Sequence, residues 1–217
     1  MRLKKLLCLA ALAASMASHA GSFEDFFRAV RADNASGVAS LINRGFDPNT
    51  RNETGQTGLL LALREPSPRV IDVLLSSKKT DIDARNANDE SPLMLAAIKG
   101  QQDLVNQLLK RDAAVNKTGW TPLHYAATKG HLAIISLLLE QHAYIDAESP
   151  NGTTPLMMAA MYGTAPAVKL LLQEGADPQL KNQQGLTALE FAERAIRPDA
   201  VELLAAAVRG KKPAGQW

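Results

Sequence analysis

Two kinds of short apolar cluster alternate along the chain. The first opens on Ser or Thr and continues with small and aliphatic residues, as in Thr57-Gly58-Leu59-Leu60, Ser91-Pro92-Leu93-Met94, Thr121-Pro122-Leu123-His124, Thr154-Pro155-Leu156-Met157 and Thr187-Ala188-Leu189-Glu190. The second is richer in branched residues, as in Val70, Ile71, Val73, Leu74 and Leu75, or Leu104, Val105, Leu108 and Leu109, with the three- and four-residue steps of a helix face. The clearest copy runs from Thr118 to His131 and is followed by an apolar stretch, Leu132 to Glu140. Thr121 can cap a helix with its hydroxyl, and Pro122 fits the first helical position, where its missing N–H leaves no bond unmade. Gly130 can end that helix in the left-handed conformation. The pattern therefore predicts a short helix, a tight turn and a second helix, repeated.

The cluster starts at 57, 91, 121, 154 and 187 are separated by 34, 30, 33 and 33 residues. Self-similarity at a period near 33 around a T-P-L-H-x-A core, here Thr121-Pro122-Leu123-His124-Tyr125-Ala126, resembles the ankyrin repeat family over nearly everything after residue 21. The resemblance implies an all-α solenoid of stacked helix-turn-helix units joined by short β-turn fingers, about six repeats including degenerate caps. Their expected bounds are near 21–51, 52–85, 86–117, 118–148, 149–181 and 182–209, with a flexible tail at 210–217.

Ahead of the repeats, Arg2, Lys4 and Lys5 precede an apolar run from Leu6 to Ala17, and Ser18-His19-Ala20 places small residues three and one positions before a cut. That is the pattern of a secretory signal peptide over 1–20, bacterial in flavour, with cleavage after Ala20 and a cut after Ala17 as the alternative. A retained anchor would need about 20 apolar residues, more than this run supplies. The expectation is a periplasmic or secreted chain with no stable membrane insertion after cleavage.

Charge and cysteine content matter mainly through that cut. The whole chain has 24 Lys+Arg against 22 Asp+Glu, and three of the basic residues lie in the leader. The mature chain is near neutral, so no basic excess supports nucleic-acid binding by counterion release. Cys8 is the single cysteine and leaves with the leader, so stability must come from repeat stacking rather than disulfides.

Individual repeats depart from the pattern in readable ways. The segment 21–51 begins with Phe23, Phe26, Phe27 and Val30 instead of T-P-L-H, as expected of a cap with one face in water. In the second repeat Gly58 replaces the proline and Pro66 stands where Gly130 stands. From Asn116 the chain passes almost directly to Gly119-Trp120-Thr121, about three residues short of the family spacing, so the finger there should be truncated. Glu190, Glu193, Arg194, Arg197 and Glu202 are expected on the polar outer face of a carboxy-terminal cap.

Catalytic and metal chemistry find little in the sequence. His124, His131 and His142 are spaced by 7 and 11, which fits no usual zinc pattern, and no phosphate-cradling loop, nucleophile elbow or H-E-x-x-H motif occurs. Carboxylates are plentiful but scattered. The resemblance gives His124 a structural role, bonding finger backbone. No cofactor and no metal are expected, and the chain is read as a non-enzyme and a monomer.

What the resemblance implies instead is a concave face that binds a protein partner. Its positions fall on Gln56, Arg64, Glu65, Glu90, Ile98, Lys99, Trp120, Thr128, Lys129, Thr153, Met161, Tyr162, Leu186 and Arg194. The contacts singled out are Trp120, Tyr162, Met161, Ile98, Lys99, Thr128, Lys129, Thr153 and Leu186, because exposed aromatic and apolar side chains dominate protein interfaces. Trp120 has a second reading, folding over the shortened finger as packing. Two other classes stay open: a small-molecule or sugar-binding protein, and a hydrolase with an unrecognised carboxylate pair.

Overall fold

The computed structural model describes residues 21–210. The expected leader, 1–20, lies outside them, as do residues 211–217 of the expected tail; Gly210 itself ends the last helix. Among the described residues there are twelve helices and no strands. In chain order they are α1 over 21–31, α2 (Ala35–Asn43), α3 (Gly58–Arg64), α4 (Pro68–Ser76), α5 (Pro92–Ile98), α6 (Gln102–Leu109), α7 (Pro122–Lys129), α8 (Leu132–Glu140), α9 (Pro155–Tyr162), α10 (Ala165–Gln173), α11 (Ala188–Arg194) and α12 (Pro198–Gly210). Each Ser or Thr that opened a cluster in the sequence stands one residue before an inner helix: α3, α5, α7, α9 or α11. The chain divides into two compact units at Pro92 and Leu93.

In the first unit an aromatic cluster replaces the missing T-P-L-H start. Phe26 is fully buried, stacks on Phe46 at 4.6 Å and meets Phe27 edge-on at 5.2 Å. This explains Gly58: a Cβ there would lie 2.7 Å from the Phe26 ring, so the usual proline at the first position of α3 has no room. α4 packs on α2 and α3, burying Val70, Ile71, Leu74 and Leu75. Asn49 links successive loops, its side-chain amide donating to the Lys79 carbonyl at 2.8 Å and its oxygen accepting from the Asp81 N–H at 2.7 Å.

In the second unit the helices form two rows. The inner row is α7, α9 and α11, and the outer row is α6, α8, α10 and α12, each helix in contact with the next. The inner row stacks closely because Ala126, Ala127, Ala159, Ala160 and Ala192 are fully buried and small, while Leu123, Leu156, Ile135, Leu138 and Leu171, also fully buried, fill the layer between the rows. Asn116 repeats the linking role of Asn49, donating to the His142 carbonyl and accepting from the Tyr144 N–H, both at 2.8 Å.

The finger before α7 is short. A left-handed residue precedes the inner-helix cap by twelve positions at Gly45, His142 and Gly175, but by nine at Asp112. The other fingers close on themselves, as where the Ser149 N–H donates to the Thr153 carbonyl and the Gly152 N–H to the Ser149 carbonyl, whereas 113–120 carries only a bend at 118–120.

Two residues expected on the polar outer face are half-buried and held by hydrogen bonds instead. Glu190 accepts from the Thr187 hydroxyl and from its backbone N–H, completing a capping box at α11, and these bonds, the hydroxyl's foremost, hold its carboxyl below the usual carboxylate range. Arg197 donates to the Gly163 carbonyl at 2.8 Å and so joins the last helix pair to the one before it.

Candidate functional site

All nine contacts singled out from sequence fall in the second unit. An eight-residue inner helix turns 100° per residue, so the positions two, five and six after the cap face the core, while those four, seven and eight after it face away. Leu123, Ala126 and Ala127 on α7 and Leu156, Ala159 and Ala160 on α9 are accordingly fully buried. The outward set forms three rows across the helices. The position seven after the cap holds half-buried Ile98, Thr128 and Met161, then exposed Arg194; the position eight after it holds exposed Lys99, Lys129 and Tyr162. Tyr162 stands out, with 58% of its surface in water at the end of α9.

A third row was not singled out in the sequence. Leu95, Tyr125, Met158 and Phe191 all sit four after the cap and are all half-buried. Their signal was available, since each lies one helical turn before a residue that was named.

The finger positions behave differently. Thr153 is 2% exposed, and its carbonyl is held by His124, so its side chain is not presented to a partner. Leu186 and Trp120 are half-buried. Trp120 packs edge-on against His124 with ring centroids 5.2 Å apart, which makes it partly packing despite the short finger beside it. In the first unit Arg64 and Glu65 are exposed, Gln56 is buried, and half-buried Glu90 accepts from the Asn86 amide at 2.7 Å.

His124 has no exposed surface and is the electrostatic pivot of this region. Its Nδ1 accepts from the Thr121 N–H at 3.1 Å and lies 2.8 Å from the Thr121 hydroxyl, so the proton sits on Nε2, which donates to the Thr153 carbonyl at 2.9 Å. Protonating Nδ1 would turn it against a backbone donor. Burial, above all, and the positive charge of Lys117 push its pKa down to about 4, against the pull of backbone bonding at Thr153 and Ala147. The imidazole is neutral at pH 7 and fully engaged, the arrangement of a structural clamp.

Among the described residues no group of three His, Cys, Asp or Glu side chains is placed to hold a metal ion, and no helix is long and apolar enough to cross a membrane. The first unit holds a separate cleft of about 560 Å³ beside Phe23, Leu61, Arg28, Arg31 and Arg64.

The family described as ankyrin repeats (3 copies) matches residues 26–117, 62–149 and 141–213, well over half of the chain. The chain belongs to the ankyrin repeat family. Ankyrin repeats are protein–protein interaction modules. A solved ankyrin repeat domain from Acinetobacter baumannii superposes with a TM-score of 0.74 at 25% identity, over 84% of this chain and 97% of that one. A chain in the structure of a predatory endopeptidase from Bdellovibrio bacteriovorus in complex with an immunity protein superposes with a TM-score of 0.72 at 28% identity, over 87% of this chain and 98% of that one. Among curated proteins, a putative palmitoyltransferase of Danio rerio is 35% identical over 131 residues, 57% of this chain. The ankyrin chain spans only 20% of that relative and 5% of a Xenopus laevis Notch homologue.

Proposed function

We propose that this ankyrin repeat protein is exported and acts without catalysis of its own, docking on an endopeptidase through the inner-helix face of its second unit. The observation that carries the docking is Tyr162, 58% exposed at the end of α9 beside half-buried Met158 and Met161. An aromatic anchor next to flexible apolar side chains is the composition of a binding hot spot. The partner class is drawn from the likeness to the endopeptidase–immunity protein complex, which runs over almost the full length of the matched chain. Export is supported by the basic, apolar and small-residue pattern of 1–20.

The test uses the chain from Gly21 to Trp217 and purified cell-envelope endopeptidases of the same organism. The expected result is a one-to-one complex in size-exclusion chromatography and loss of peptide cleavage by the captured enzyme. No complex with any of them, or cleavage by the ankyrin protein itself, overturns the proposal.

A small-molecule role has one specific observation in its favour, the 560 Å³ cleft of the first unit with three arginines on its walls. It predicts a ligand that raises Tm in a thermal-shift screen and whose effect disappears in Arg31→Ala.

A further inference from the structure

The turn between α11 and α12 is built unlike the turns it matches. Among the described residues five non-glycine residues have positive φ; Asp33, Asp89, Asp112 and His142 are of types that tolerate it, and Ile196, at φ 54, is β-branched and does not. Ile196 is also the most exposed large apolar side chain among the described residues, at 85%.

Its backbone bonds place it in register with two glycines. The Ile196 N–H donates to Glu193 and the next N–H to Ala192, as Gly100 and Gln101 donate to Ala97 and Ala96, and Gly130 and His131 to Ala127 and Ala126. At those positions a side chain is excluded by the following helix pair: a Cβ on Gly100 would lie 2.6 Å from the His131 ring, and one on Gly130 would lie 2.5 Å from the Thr164 hydroxyl. No described helix pair follows α12, so at Ile196 a side chain has room. Room alone does not account for isoleucine. Gly, Asn or Asp would fill the turn without strain and without placing an apolar side chain in water. Backbone strain that persists where a cheaper residue would fit points to use.

Arg197 ties this turn to Tyr162. Its guanidinium is bonded to the Gly163 carbonyl at 2.8 Å, so Ile196 is one residue away from one end of that bond and Tyr162 is one residue away from the other. The two most exposed apolar side chains of these two repeats therefore share one edge, with exposed Glu193, Arg194 and Asp199 around them. An apolar centre inside a charged rim is how protein interfaces are built.

We infer that Ile196, together with Tyr162, forms the apolar anchor that seats in a pocket of the endopeptidase partner. This rests on the proposed docking function and places its centre at the α9–α11 edge. The anchor is held at the cost of local stability, so stability and binding respond to its removal in opposite directions.

The test compares the parent chain with Ile196→Gly and Ile196→Asn, measuring Tm alone and Kd for the endopeptidase by calorimetry. Both variants are expected to raise Tm by about 2 to 4 °C and to weaken binding at least tenfold. A rise in Tm with unchanged Kd overturns the anchor while leaving the docking function standing. A fall in Tm shows that Ile196 is packing and overturns the anchor as well. A parent chain that binds no endopeptidase overturns the docking reading, and the anchor falls with it.

Discussion

The starts of α7 and α9 carry the same Thr-Pro-Leu and adopt the same cap, yet they differ in what the third residue of the helix does. At α7 it is His124, whose ring accepts from the Thr121 N–H and reaches on to the carbonyl of Thr153 in the next finger. At α9 it is Met157, whose sulfur accepts from the Thr154 N–H at 3.4 Å; a thioether has no hydrogen to donate to a carbonyl of the next finger. One side chain closes its own cap and clamps the following repeat, while the other closes its own cap with a weak acceptor and fills space. The repeat geometry is therefore set by the backbone caps and the buried alanines, and the histidine adds a bridge on top of it. That bridge bears on the exposed face because Trp120 leans on the same ring.

Removing the clamp is expected to have the largest effect. His124→Ala leaves a cavity, strands the Thr121 N–H and leaves the Thr153 carbonyl with only its bond from the Ser149 N–H, lowering unfolding free energy by roughly 3 kcal/mol in urea titration. A loss below about 1 kcal/mol would mean that the ring contributes no more than space-filling.

Acid should find the same bond. The folded pKa of His124, about 4, lies below its unfolded value near 6.5, so as pH falls from 6.5 to 4 the unfolded chain takes up a proton that the folded chain refuses. The stabilisation is full above pH 6.5 and is lost as pH falls through this window, on the order of 3 kcal/mol. Urea titrations at pH 7 and pH 4.5 check it, and the pH dependence should be much weaker in His124→Met.

That same swap sharpens the comparison at pH 7. His124→Met installs the α9 solution at α7, keeping an acceptor for the cap but losing the bridge, and should cost about 1.5 kcal/mol. Smallest of all is Tyr162→Ala, which should change unfolding free energy by no more than about 0.5 kcal/mol, since its side chain is largely in water.

The parts of the fold legible in the sequence were those encoded locally. Each Ser or Thr cap, the bounds of α8 from Leu132 to Glu140, the left-handed Gly130 at φ 68 and the three-residue shortfall after Asp112 follow from residue types within one repeat. What was not legible depends on the neighbouring repeat. Thr153 looked like a finger residue open to a partner, yet it is buried because His124, 29 residues earlier, holds its carbonyl. Arg197 looked like surface charge, yet it bonds Gly163, 34 residues earlier. Gly58 read as degeneracy of the motif, yet it makes room for Phe26 from the preceding helix pair. Leu95, Tyr125, Met158 and Phe191 were not singled out, because an apolar residue at a helical position carries no mark of which side it faces until the stack is assembled. Ile196 gave no signal at all, because the sequence does not show the sign of φ.

The proposed docking of the second unit's inner-helix face on an endopeptidase turns on Tyr162. Calorimetric titration of the partner with the Gly21–Trp217 chain and with its Tyr162→Ala variant tests it most directly. The variant, as stable as the parent, is expected to bind at least tenfold more weakly, about 1.4 kcal/mol. Equal affinities for the two chains would contradict it.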